Sequence, residues 1–236
     1  MPVPIASDQI VRVPLAPVLA LQGLAVRRRV QMLPEPAGPR QGQIGHGPRL
    51  RLLITGDSSA AGVGAGRQDQ ALSGHLLHHL SKHNAVEWRL EATTGHTTQD
   101  TLNRLSQLGG TYDAVVTALG VNDVTRGVTL KRFIERQTQL ATLLTQKFGA
   151  CRVVVTAVPQ MDRFPALPQP LAWVLGQQSA RLDQGLQRVV AAYPELRHLK
   201  LDLPDDQALV APDGYHPSPK TYAIWAERAA KLLLQT

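Results

Sequence analysis

The sequence predicts a layered α/β sandwich around a mostly parallel sheet, and three observations carry that expectation. From Arg49 onward, apolar runs of strand length alternate with amphipathic runs of helix length. The chain has 236 residues, 43% hydrophobic and 18% charged, which suits one sizeable core and leaves little room for two. Small and polar residues gather just after the candidate strands, at the edge where open sheets of this kind bind ligands.

Residues 1–48 read as an N-terminal arm and loop, and residues 49–236 as the organised domain. In the arm, Val13 to Val26 is apolar, follows Asp8 and Arg12, contains Pro14 and Pro17, and precedes Arg27-Arg28-Arg29. A secretory signal carries its positive cluster before the apolar part, so this segment reads as retained, a short helix packed on the domain. An apolar stretch beside three arginines also suits weak peripheral contact with an anionic membrane. Pro34 to Pro48 is rich in proline, glycine and glutamine and reads as a loop.

The candidate strands are Leu50–Thr55, Val86–Ala92, Asp113–Leu119, Arg152–Val158 and His198–Leu203. The clearest helix runs from Thr129 to Phe148, with Leu130, Phe133, Ile134, Leu140, Leu143, Leu144 and Phe148 on one face. Phe164 to Leu175 is too proline-rich to start as a helix. It reads either as a wall of a ligand pocket, to which Leu167 and Trp173 would contribute, or as a hydrophobic loop closing the core. The last helix has Ser218 as its cap, Pro219 in its first turn, and Tyr222, Trp225, Ala229, Leu232 and Leu233 as its apolar face.

Composition narrows the functions available. The net charge is +7, so the surface should be basic, yet only 4% of residues are aromatic and no zinc-finger, homeodomain or RNP pattern occurs. Nucleic acid is therefore not an expected partner. The single cysteine, Cys151, excludes an intrachain disulfide and multi-cysteine zinc cages. It fits a reducing, cytoplasmic compartment and reads as a small core residue opening a strand. No apolar run approaches the ~20 residues of a spanning helix, so a soluble chain is expected. His75, His79 and His83 recur at helical spacing, but no carboxylate completes a metal motif, and they read as a polar face.

Three segments carry chemistry. The first strand runs into Thr55-Gly56-Asp57-Ser58-Ser59-Ala60-Ala61-Gly62-Val63-Gly64, where small residues permit a tight turn and an exposed hydroxyl. Phosphate-binding templates fail there: Ala61 replaces the second glycine of a Walker loop, and Arg67 follows Gly62-x-Gly64-x-Gly66. The G-x-S-x-G elbow is also absent around Ser58. After the third strand, Gly120-Val121-Asn122-Asp123 offers a carboxamide that could donate to an oxyanion or simply bond its own turn. Near the end, Asp213-Gly214-Tyr215-His216-Pro217 sets a carboxylate three residues before an imidazole. That spacing suits an oriented general base and equally suits a turn before a helix.

Taken in order, Gly56-Asp57-Ser58, Gly95, Gly120-x-Asn122-Asp123 and Asp213-x-x-His216 resemble the four sequence blocks of the SGNH hydrolases, the GDSL esterase/lipase family. The likeness runs from about residue 50 to about residue 235. It implies an α/β/α sandwich with a five-stranded parallel sheet in flavodoxin-like order. It also implies a serine esterase that hydrolyses a carboxylic ester or thioester of a small-molecule acyl substrate through an acyl-enzyme, without metal or organic cofactor. On this resemblance Ser58 is the nucleophile, His216 the general base and Asp213 its orienting acid. The oxyanion hole is formed by the Ser58 and Gly95 backbone amides and the Asn122 side chain, and His96 beside Gly95 is a pocket candidate. An acyltransferase using the same residues, or a non-catalytic small-ligand module, remains open at this point, as does the oligomeric state.

The sequence also departs from the family pattern. Block I continues Ser59-Ala60-Ala61 where leucine or isoleucine and then threonine are common, Gly95 lacks distinctive neighbours, and some fifty residues precede Ser58.

Overall fold

The computed structural model of the chain describes residues 7–29 and 33–235; residues 1–6 and 30–32 of the predicted arm lie outside the described residues. Helix α1 spans Ser7–Arg29 and strand β1 Gln41–Ile44. They are followed by β2 (Arg49–Gly56), α2 (Ser58–Ala61), α3 (Leu72–Leu80), β3 (Ala85–Ala92) and α4 (Thr98–Ser106). Next come β4 (Ala114–Ala118), α5 (Val121–Thr125), α6 (Leu130–Thr142) and β5 (Arg152–Thr156). The chain closes with α7 (Leu171–Ala191), β6 (Leu196–Leu199) and α8 (Pro219–Leu234).

One sheet holds all six strands in the order β1-β3-β2-β4-β5-β6. Counted from β2, the five parallel strands have the 2-1-3-4-5 order of flavodoxin-like sheets. The sixth strand corrects the expected count of five and the reading of Pro34 to Pro48 as loop throughout. Strand β1 pairs antiparallel with β3, Gln41 opposite Arg89 and Ile44 opposite Val86. Its Gln-Gly-Gln-Ile sequence has no alternating apolar face, so only the open edge of β3 makes it a strand.

The two faces of the sheet bury different side chains because successive strand residues point to opposite sides. From β2, Leu50, Leu52 and Ile54 pack with Leu72, Leu76, Tyr222 and Trp225 of α3 and α8. Leu53 enters the other cluster, with Phe133 and Leu140 of α6 and Leu182 and Leu186 of α7. Each fully buried leucine or isoleucine of this kind stabilises by about 1.5–3 kcal/mol, so β2, buried on both faces, anchors the fold.

Helix α6 begins after the Thr129 cap as its periodicity predicts, but 143–147 winds as a π-helical turn before Phe148. Strand β6 starts at Leu196 and stops at Leu199, earlier than the predicted His198–Leu203, because pairing with Val153 to Thr156 fixes its register. Cys151 is exposed, contrary to the core reading: it lies just before β5 and its thiol donates to Asp113 O at 3.3 Å. Helix α1 packs on α7 despite its two prolines. Among the described residues, no helix is long and apolar enough to cross a membrane.

Candidate active site

Strand β2 ends in a turn that only glycine permits at its first position. Gly56 has φ +153°, and a Cβ there would stand 2.1 Å from Ala118 O. This close approach lets Asp57 N donate to Ala118 O at 3.0 Å, tying the loop to β4. The Asp57 side chain then accepts from Ser59 N at 3.0 Å and from the Ser59 hydroxyl at 2.7 Å, capping the single turn of α2. Ser58 is the first residue of that turn, so its backbone N–H has no intrahelical acceptor.

Across the cleft, the loop before α8 folds on its own aspartate. Asp213 Oδ1 accepts from Tyr215 N at 2.9 Å and His216 N at 3.0 Å, while Oδ2 meets His216 Nδ1 at 2.5 Å. His216 Nε2 lies 3.0 Å from Ser58 Oγ, bridging positions 158 residues apart in the chain. Burial opposes the Asp213 carboxylate, but the His216 and Tyr215 hydrogen bonds outweigh it and hold its pKa below the ordinary range. Tyr215 packs edge-on against Phe164 with ring centroids 5.0 Å apart and so braces the histidine loop. Ser218 N–H donates to Leu209 O, and its hydroxyl caps α8, fixing where the loop ends.

The Gly95 and Asn122 loops leave the same sheet edge. Gly56 lies opposite Ala92 of β3 and Ala118 of β4, so the segments after all three strands start side by side. In the 93–96 turn, His96 N donates to Thr93 O, and Gly95 takes φ +84°. Asn122 Nδ2 donates to His96 O at 3.0 Å, which orients the carboxamide and leaves its second N–H uncommitted to that bond. Arg126 Nη2 donates to Gly95 O at 2.8 Å. Asp123, fully buried, accepts from Thr98 N at 3.0 Å and Thr98 Oγ1 at 2.9 Å, and burial raises its pKa. These bonds clamp the two loops together.

Ser58 and His216 open onto a cleft of about 440 Å³ whose walls include Leu119, Val121, Val158, Phe164, Pro165 and Leu203. Its volume and mainly apolar walls fit a small organic ligand. None of the three expected pocket residues, His96, Leu167 and Trp173, lines the cleft; of the proline-rich segment, Phe164 and Pro165 do. Leu167 is buried in the core, which matches the loop-closing reading of its segment, and Trp173 is half-buried on α7. His96 sits against the Asn122 turn, and burial lowers its pKa. The prolines that prevent a helix from starting at Phe164 leave Leu167 to turn inward.

One contact had no sequence signal at all. Glu35, from the segment read as loop, accepts from Thr94 N and Thr94 Oγ1, both at 2.8 Å, and pairs with Arg40 at 2.7 Å. Arg40 also donates to Ala92 O. The N-terminal segment therefore braces the turn that carries Gly95. Other cleft residues, Val158 after β5 and Leu201 and Leu203 after β6, follow from the general rule that ligands bind beyond strand ends.

A profile of the GDSL-like lipase/acylhydrolase family matches residues 54–224. No curated protein matches the sequence. Among solved structures, TesA shares 20% identity and a TM-score of 0.61, covering 78% of this chain and 98% of its own. The lipase/acylhydrolase from Enterococcus faecalis shares 22% identity at a TM-score of 0.59, covering 77% of this chain and 94% of its own. The psychrotrophic esterase EstA from Pseudoalteromonas sp., inhibited by monoethylphosphonate, shares 19% at a TM-score of 0.57, covering 77% and 94%. At these identities the structures speak for the fold alone. The profile spans β2 to α8, from the strand that delivers Ser58 to the helix that follows His216, and on that match the chain belongs to the GDSL-like lipase/acylhydrolase family of hydrolases.

Proposed function

We propose that this protein hydrolyses a carboxylic ester, or a thioester, through an acyl-enzyme on Ser58. The observation that carries this reading is the unbroken relay from Asp213 Oδ2 through His216 to Ser58 Oγ, at 2.5 and 3.0 Å, at an apolar cleft. A serine hydroxyl is a weak nucleophile until a neighbouring base accepts its proton, and the carboxylate behind the base fixes its tautomer.

In the first half-reaction Ser58 Oγ bonds to the substrate carbonyl carbon and His216 Nε2 takes the hydroxyl proton. The carbonyl electrons move onto oxygen, where the Ser58 and Gly95 N–H groups and the Asn122 carboxamide receive the charge. As the oxyanion collapses, the alkoxide or thiolate leaves with the proton from His216. Water then attacks the acyl carbon as His216 takes its proton, the Ser58 ester bond breaks as His216 returns that proton to Ser58 Oγ, and a carboxylic acid departs. Leu119, Val121, Phe164 and Leu203 offer the acyl part an apolar wall.

The test is a panel of nitrophenyl esters of graded acyl length, given to the native protein and to Ser58→Ala. The native protein is expected to turn them over and the variant to lose that activity. A fluorophosphonate is expected to form a bond between its phosphorus and Ser58 Oγ with loss of fluoride, readable as a mass shift on the Ser58 peptide. Equal turnover by both proteins, or label on another residue, would remove Ser58 from the mechanism.

A further inference from the structure

We infer that the outward face of α1 docks this protein on an anionic phospholipid surface. The proposal goes beyond the hydrolase reading and does not depend on it.

Helix α1 engages the body from one side. Arg12 Nη2 donates to Val174 O at 3.2 Å, Gln22 Nε2 donates to Gln169 O at 2.7 Å, and Leu171 N donates to Gln22 Oε1 at 3.1 Å. Leu19 and Val26 pack against the core. Residues 12, 19, 22 and 26 share one helical face, so the opposite face looks away from the domain. There Val13 is 77% exposed, Leu21 68% and Leu24 52%, with Val18, 43% exposed, on the flank beside them. Of the six exposed large hydrophobics among the described residues, four stand on this helix.

An ordinary surface helix carries charge on its solvent side. Here the sequence holds no charged residue from Val13 to Val26, and its polar member, Gln22, is bonded inward. Arg27, Arg28 and Arg29 follow at once, all exposed. An apolar face ended by a cationic cluster is the arrangement that partitions into a headgroup boundary, apolar side chains below and guanidinium groups among the phosphates. The net charge of +7 favours an anionic partner and opposes a second copy of the same chain. Gln22 also ties α1 to Gln169 and Leu171, in the segment whose Phe164 and Pro165 line the cleft.

The experiment is cosedimentation of the full chain with phosphatidylglycerol vesicles and, separately, phosphatidylcholine vesicles at low ionic strength. The expected result is partitioning onto phosphatidylglycerol, little onto phosphatidylcholine, and release in high salt. Each arginine near an anionic surface contributes a factor of about five in partitioning, so Arg27→Gln/Arg28→Gln/Arg29→Gln should lose binding by about 100-fold. Leu21→Glu/Leu24→Glu changes only exposed positions; with its circular dichroism unchanged, it should also release the protein. Absence of binding, or binding indifferent to Leu21→Glu/Leu24→Glu, overturns the proposal. So does a dimer in light scattering that this variant dissolves while vesicles go unbound, which would give the face to a second copy.

Discussion

Replacing Asp57 by asparagine should change how stability depends on pH more than it changes the fold. Asp57 is 2% exposed, and burial pushes its pKa from the ordinary 3.8 up to about 6, against the opposing pull of Ser59 and His216. The folded state thus holds this proton more tightly than the unfolded chain does. Stability from this group is complete below the unfolded pKa and is lost as pH rises through the folded one. The whole change amounts to about 3 kcal/mol, of which about 2 kcal/mol falls between about pH 4.5 and 7.5. Asparagine keeps an oxygen to accept from Ser59 N–H and remains a good helix cap, but it has no proton to release. Urea or thermal unfolding of both proteins across that range should show Asp57→Asn gaining on the native protein by about 2 kcal/mol, or about 4–8 °C in Tm. Parallel stability curves, or an asparagine variant that loses ground as pH rises, would refute the reasoning.

Removing the Asn122 carboxamide by Asn122→Ala should lower kcat on a nitrophenyl ester by about 100–1000-fold, about 2.7–4 kcal/mol, with little change in KM; a kcat near the native value would take this side chain out of the oxyanion hole. Glu35→Ala leaves Thr94 N–H without its acceptor and Arg40 without its carboxylate partner, so thermal unfolding should show a loss of about 1.5–3 kcal/mol together with a reduced kcat as the Gly95 turn loosens. An unchanged kcat would limit Glu35 to holding the fold. At Gly64, φ is +101° and a Cβ would stand 2.2 Å from Pro217 O, next to His216. Gly64→Ala should therefore cost about 1–3 kcal/mol and slow fluorophosphonate labelling by displacing the histidine loop; native-rate labelling would show that the loop absorbs the clash.

The central strands were legible because each is a nearly continuous apolar run, and burial on both faces of a parallel sheet demands that pattern. Ser58, Asn122 and the Asp213–His216 pair were legible for a related reason: their loops need glycine, proline and particular polar groups at close spacing, a local requirement written within a few consecutive residues. The expected ends of β6 drifted because pairing register depends on neighbours, whereas the Thr129–Phe148 helix kept its bounds and only its last turn wound differently.

By itself the sequence determined the layered fold, its strand order through family resemblance, and which side chains the proposed chemistry rests on. Tertiary structure alone decided that Gln41–Ile44 joins the sheet, that Glu35 braces the Gly95 turn, that Leu167 turns into the core while Phe164 lines the cleft, and which face of α1 meets solvent. The division is physical. Periodicity and turn chemistry act over a few residues, whereas an edge strand, a hydrogen bond across 59 positions and a cleft wall depend on which distant segments the packed core brings together.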